Sequence, residues 1–214
     1  MKALILVNGE LYKPDILQRR IRTETFDLVL GADGGTHHAY TLNVTPDAII
    51  GDLDSLSDLE QQGIRNTKFV SYPAEKDKTD LELALIYAEE QGADQIVIVG
   101  AMGGRIDMTI ANILLLAHAN LSTCRIEVWH GEQTGWVINP PGEAISGHPR
   151  DIVSLIPLGG YASGVTTKGL KYSLKDEGLS FVSSRGISNL LEKSSAHIKL
   201  SEGLLLVIHT PGRA

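Results

Sequence analysis

Two aspartates, Asp52 and Asp54, stand two residues apart directly after a short apolar run at 48–50. In an extended segment, residues i and i+2 point the same way. Both carboxylates would then face one point at a strand's carboxyl end, where open α/β sheets bind ligands. Adjacent carboxylates repel, and a site that holds both ionised usually has a cation between them. Hard oxygen donors suit Mg²⁺, which commonly takes one or two carboxylates and fills its other positions with phosphates and water. The same Asp-Leu-Asp-Ser string is also turn and helix-cap chemistry, because Asp and Ser oxygens accept from free backbone N–H groups.

Glycines follow other apolar runs. Asn8 and Gly9 follow the first; Gly31, Ala32, Asp33, Gly34 and Gly35 form one string after the second; Gly103, Gly104, Arg105 and Asp107 lie after a later one. Glycine lets a backbone approach phosphate closely and aim N–H groups at it. The planar fork of Arg105 matches phosphate oxygens. Each cluster taken alone is equally a tight strand-to-helix turn. Lys76, Asp77, Lys78, Thr79 and Asp80 add a further acidic string. Thr79 reads as an N-cap, which puts Asp80 in a first helical turn, where an acid also offsets the helix dipole. There is no Walker P-loop and no dinucleotide-binding glycine fingerprint. Acids for Mg²⁺, glycine turns, Lys and Arg on loops at one sheet edge are what nucleotide phosphoryl transfer needs, since its catalysis is mainly positioning and charge neutralisation.

The elements that must position these groups are legible as two kinds of pattern. Short apolar runs at 3–7, 27–30, 48–50, 68–70 and 95–99 alternate with amphipathic stretches. One of these carries Leu81, Leu85 and Ala88 at helical spacing and opens on the capping box Thr79 to Glu82; Ser57 to Glu60 opens another. This predicts a mostly parallel sheet flanked by helices over residues 1–130. After Trp129 the pattern changes to helix-hostile Pro and Gly strings and short runs at 152–156, 170–174, 180–183, 196–200 and 204–209. Residues 131–214 are therefore expected to form an antiparallel β-sandwich. Trp129 and Trp136 fall at the junction and read as interface or core.

The bulk numbers exclude several classes. A net charge of −7 on 214 residues supplies no basic footprint for nucleic acid or a membrane surface. The one cysteine, Cys124, allows no internal disulfide, which fits a reducing, cytoplasmic setting. The apolar run after Met1 is too short for a signal peptide, and the longest one, at 110–119, is too short to span a bilayer.

With these strings in order along nearly the whole chain, the sequence resembles the thiamine pyrophosphokinases. The β half adds Val165 to Tyr172, with Gly169-Leu170-Lys171-Tyr172, and Arg185-Gly186-Ile187-Ser188-Asn189 to the likeness. The resemblance implies an α/β catalytic domain joined to a β-sandwich that binds thiamine. It implies an enzyme that moves the β,γ-diphosphate of ATP to thiamine, giving thiamine diphosphate and AMP. Asp52, Asp54 and Asp80 would hold Mg²⁺, with Asp77 a supporting acid. Asn8, Gly9, Asp33, Gly34, Gly35, Lys78, Gly103 and Gly104 would lie at the nucleotide and its phosphates, and Arg105 and Asp107 at the phosphate and acceptor region. Tyr172, Ser188 and Asn189 would lie at the thiamine ring, in a homodimer whose active site is shared between subunits. Met108 departs from the pattern: relatives usually carry His or Gln directly after the Arg-x-Asp. The alternatives are a diphosphokinase for another hydroxyalkyl heterocycle, such as a pterin, and a non-catalytic thiamine or nucleotide sensor.

Overall fold

The structure is a computed structural model, and it describes residues 1–51, 67–72, 77–118 and 123–212. Asp52, Asp54, Lys76 and the capping box at Ser57 lie outside the described residues. The chain divides into two compact units, Met1–Glu132 and Gln133–Ala214.

The first unit is built on six described strands: β1 (Lys2–Leu6), β2 (Leu28–Ala32), β3 (Ala48–Gly51), β4 (Lys68–Ser71), β5 (Gln95–Val99) and β6 (Arg125–His130). They pair in the order β4-β3-β2-β1-β5-β6, every pair parallel. β1 lies in the middle and reads as continuous apolar sequence because both of its faces are covered; Ala3, Leu4, Ile5 and Leu6 are fully buried. The α-helices among the described residues are α1 (Pro14–Arg22), α2 (His38–Leu42), α3 (Asp80–Glu90) and α4 (Ile106–Leu114). α1 starts on Pro14, whose missing N–H is no loss in a first turn, and buries Leu17 and Ile21 four residues apart. Thr79 caps α3 as expected, its Oγ accepting from the Glu82 N–H at 3.2 Å. The chain leaves β1 for β2 on one side, while β5 returns on the other. This reversal opens a crevice outside the carboxyl ends of β1 and β5.

β6 is a strand that the apolar runs did not indicate, because Arg125 and Glu127 interrupt its buried residues. Trp129 at its end is core within this unit: 5% exposed, its ring 4.0 Å from the Arg20 guanidinium and its Nε1 donating to Glu127. Cys124 donates to the Ala93 carbonyl, and burial pushes its thiol pKa up, which makes it inert.

The second unit is antiparallel throughout, with β7 (Gln133–Ile138), β8 (Gly142–Ser146), β9 (Ile152–Lys168), β10 (Glu177–Ser180), β11 (Asn189–Leu190), β12 (Ser195–Lys199) and β13 (Glu202–Thr210). β9 pairs with β13 over its first half and with β12 at its end, while β10 and β11 also join it. The strands fold over one core that includes Trp136, Val153, Leu155, Val165, Leu205 and Val207. Two expected strands differ. Residues 170–174 form a turn with a single bridge, Leu170 to Leu191, because Leu174 folds back onto Thr167 through reciprocal bonds of 2.9 and 3.0 Å. The run at 180–183 ends as a strand at Ser180, where the chain turns and the Ser183 N–H returns to the Ser180 carbonyl.

Asp151 pins this unit. It is 2% exposed, and it accepts from the His148 N–H at 2.7 Å, the Gly212 N–H at 2.8 Å and His209 Nε2 at 2.9 Å. Burial alone would push its carboxyl up, but those bonds together outweigh it and hold the group below the usual carboxylate range. A carboxyl depressed by folding stabilises the fold above its unfolded pKa, and that stability is lost as pH falls through the folded value. Asp151→Asn is therefore expected to lower unfolding free energy by about 1–3 kcal/mol near neutral pH. In urea titrations the gap to the parent protein should close as pH falls through and below the ordinary aspartate range. A gap that stays constant with pH would remove the charge from this account.

Candidate active site

The crevice between β1 and β5 holds a pocket of about 390 Å³. Of the residues singled out from the sequence, Asn8, Gly9, Asp33, Asp80, Gly103, Gly104, Arg105 and Met108 line it, together with apolar walls from Val7, Leu81 and Ala101. Each comes from the carboxyl end of a strand or the start of a helix. Asn8 and Gly9 follow β1, Asp33 follows β2, Asp80 opens α3, and Gly103 to Met108 lead from β5 into α4. Gly51, directly before Asp52 in sequence, ends β3 against Asp33, so that a Cβ there would come within 3.2 Å of the Asp33 Cβ. Asp77, Lys78, Gly34, Gly35 and Asp107 are not among the described residues that line the pocket. Lys78 instead reaches Glu82 in the first turn of α3, at 3.7 Å.

The wall is tightly specified. The β1 and β5 loops are laced together by Gly9 N–H to Gly100 and Glu10 N–H to Met102, both at 2.7 Å. A Cβ on Gly9 would stand 2.4 Å from the carbonyl oxygens of Gly100 and Met102, so only glycine allows this approach. Gly104 is needed for a different reason: its φ is +68° with open space around it. The N–H groups of Gly103 and Gly104 already have side-chain acceptors, Thr109 Oγ and Glu10 Oε1, each at 3.2 Å. Asp33 is held at φ +44°, a conformation that costs about 1–3 kcal/mol and that surrounding structure must enforce. Thr36 helps by donating to the Asp33 carbonyl at 2.8 Å.

Arg105 and Asp107 form an exposed two-pronged pair, Nε to Oδ1 at 3.1 Å and Nη2 to Oδ2 at 2.5 Å. The Arg105 bond, helped by the Met108 N–H, holds the Asp107 carboxyl below the usual range. Asp107 is thus a weak base while so paired.

Two pocket-side groups were not singled out from the sequence. His38 is buried, and its Nε2 donates to the Gly9 carbonyl at 2.7 Å, fixing the wall; burial lowers its pKa. Asn112 is 4% exposed and donates through Nδ2 to the Ala101 carbonyl at 2.8 Å. Its Oδ1 is buried with no partner, at a typical cost of about 1–3 kcal/mol. Spacing could have found Asn112, since it follows Met108 by one helical turn. Nothing in the sequence marks His38.

In the second unit, Tyr172 and Asn189 are brought together. The Asn189 Oδ1 accepts from the Tyr172 N–H at 2.9 Å, and its Nδ2 donates to the Tyr172 carbonyl at 2.7 Å. The buried amide thus holds the backbone of a tyrosine that is 54% exposed. Ser188, next to Asn189, is held at φ +57° with its N–H on Ser154 Oγ.

Among the described residues, no group of three or more His, Cys, Asp or Glu side chains is placed to hold a metal. Asp33 and Asp80 do face the same pocket. Mg²⁺ commonly binds through one or two carboxylates plus substrate phosphates, so the donor chemistry fits such an ion.

Comparison with known proteins gives a consistent answer. The family model described as Thiamin pyrophosphokinase, catalytic domain, matches residues 21–128, and Thiamin pyrophosphokinase, vitamin B1 binding domain, matches residues 143–205. Thiamine pyrophosphokinase of Bacillus subtilis is 32% identical over 192 residues, covering 88% of this chain and 89% of the relative. A crystal structure of thiamine pyrophosphokinase from Bacillus subtilis superposes with a TM-score of 0.86 at 27% identity, covering 100% of both chains. That of thiamin pyrophosphokinase from Geobacillus thermodenitrificans gives 0.83 at 30% identity, covering 100% of this chain and 99% of that one.

Proposed function

The chain belongs to the thiamin pyrophosphokinase family, and on that premise we propose that the β1/β5 pocket is where diphosphate passes from ATP to thiamine. The activity is that of a thiamine diphosphokinase. The thiamine hydroxyl oxygen bonds to the β-phosphorus of ATP, the bond from that phosphorus to the oxygen bridging it to the α-phosphate breaks, and AMP leaves with that oxygen. The hydroxyl proton is released. The observation that carries the reading is the convergence of Asp33, Asp80, Gly103, Gly104, Arg105 and Met108 on one pocket at a sheet's topological reversal.

Roles follow from the chemistry of each group. Mg²⁺, held by Asp80 with Asp52 and Asp54, would neutralise phosphate charge as it is redistributed. Arg105 would turn its fork from Asp107 to a phosphate. Glu10 would yield the Gly104 N–H to a phosphate oxygen. Met108 supplies an apolar contact for a ring, not a proton acceptor. In this reading residues 1–130 bind nucleotide and metal, and residues 131–214 bind thiamine through Tyr172 and Ser188, with Asn189 setting the position of Tyr172. A cationic ring would stack on Tyr172. A homodimer with a shared site is part of the proposal. Exposed Ile106, Ile110 and Leu114 along α4, and Tyr161, Phe181 and Val182 in the second unit, support it as surface that a second copy would cover. The setting proposed is the cytoplasm. No helix among the described residues is long and apolar enough to cross a membrane.

The test is AMP release from Mg²⁺-ATP with thiamine and with a panel of other heterocyclic alcohols. AMP and thiamine diphosphate are expected in equal amounts with thiamine. AMP formed only with a pterin alcohol would shift the reading to the other acceptor class, and none with any alcohol would overturn it.

A further inference from the structure

Asn112 is not used by the roles above. It lies on α4 one turn after Met108, and both line the pocket. The Ala101 carbonyl fixes its orientation: a flipped amide would set two acceptors against each other, so Nδ2 must face Ala101. That leaves Oδ1 as a buried acceptor with no donor. Proteins pair nearly all such groups, and an exception calls for a partner from outside the fold. The surrounding wall is largely apolar, from Val7, Leu81, Ala101 and Met108. An apolar stretch of wall that carries an unpaired acceptor suits a flat heterocycle with an N–H donor. Oδ1 is covered, so a ligand reaches it only when a neighbour yields. Met108, with its unbranched thioether chain, is the neighbour best able to move.

We propose that Asn112 Oδ1 accepts a hydrogen bond from the exocyclic amino group of an aminopyrimidine ring bound in this pocket, which makes Asn112 a specificity-determining residue. The inference rests on the diphosphokinase reading, in which both reactants carry such a group: the 6-amino group of adenine and the amino group on the pyrimidine of thiamine. A carbonyl in place of that amino group would face Oδ1 acceptor to acceptor. Removing the amino group would leave Oδ1 unpaired.

The experiment compares matched ligands by calorimetric titration on the full chain: ATP against purine riboside triphosphate, which lacks the 6-amino group, and thiamine against its 4-oxo analogue. The parent protein is expected to prefer the amino-bearing ligand of one pair by about tenfold. In Asn112→Leu that preference should fall to within about twofold, whereas Asn112→Gln, which keeps an amide with both a donor for the Ala101 carbonyl and an acceptor, should retain part of it. A general weakening of the site would lower both ligands of a pair alike and leave their ratio unchanged, so the ratio separates recognition from a structural role. The pair that responds identifies which ring is read. The proposal is overturned if the parent protein shows neither preference, or if the Leu variant keeps the parent's ratio. Should the Leu variant fail to fold, the parent's ratios and retention in the Gln variant decide. Intact discrimination in binding without AMP release would sink the diphosphokinase reading and leave Asn112 as an amino-group reader.

Discussion

Asp80→Asn is expected to lower kcat about 10²–10³-fold with the protein still folded. Asp80 is the first residue of α3 and lines the pocket, so its carboxylate is fixed by a helix whose own cap, Thr79, is independent of it. Asn keeps the shape and remains compatible with a first helical turn. What it loses is the negative charge that a divalent cation requires. The loss should be largest at low Mg²⁺ and partly recovered at high Mg²⁺, because a weakened metal site is refilled by mass action. Circular dichroism and thermal unfolding check that the fold survives. Full activity of the variant at low Mg²⁺ would remove Asp80 from the metal site.

Arg105→Ala should cost a similar 10²–10³-fold in kcat, with Arg105→Lys recovering only part. Arg105 stands at the N-terminus of α4, exposed, and its side chain pairs with Asp107. An exposed ion pair is worth little, so exchanging Asp107 for a phosphate is easy. The phosphate is doubly charged and presents oxygens that match the guanidinium fork. Lys restores charge without the fork, which is why its rescue is partial. Asp107→Asn separates two roles. If Asp107 only holds Arg105 before ATP arrives, that variant should bind ATP at least as well as the parent. If Asp107 takes the acceptor's proton, kcat should fall while the KM for ATP stays put. Steady-state kinetics with each substrate varied in turn distinguish them.

Much of the first unit was legible because its determinants are local. Central strands covered on both faces are apolar throughout, and a Thr-x-x-Glu string announces a helix start. Five of the six described strands and α3 follow from apolar runs and such signals, to within a residue or two. β6 escaped because its buried residues alternate with Arg125 and Glu127 and so form no continuous apolar run. In the second unit, the expectation at 170–174 failed because burial was mistaken for extension. Leu170 and Leu174 are core residues, but the hydrogen bonds that define their path, to Thr167 and to the Leu190 carbonyl, come from outside the segment. Pocket residues at strand ends were readable from type and position. His38 was not, since what distinguishes it is a carbonyl on another element, that of Gly9; Asn112 was within reach of helical spacing from Met108, but its bond to the Ala101 carbonyl was not.

β9 has a consequence for how the second unit comes into being. All of its described strand partners, β10 to β13, lie later in the chain, and the longest pairing is with the last, from Ile152 opposite Thr210 to Ser163 opposite Glu202. β7 likewise waits for β13. During synthesis, then, residues 133–201 leave the ribosome before the strand that joins β7 to β9 exists. The first unit has its six parallel strands complete by His130 and can condense much earlier. Pairings of high sequence separation must meet a loop-closure entropy before they return any stability, which makes them slow. The second unit is thus the half that is completed last, and the interval before β13 emerges is when its unpaired edges are most open to association with other chains.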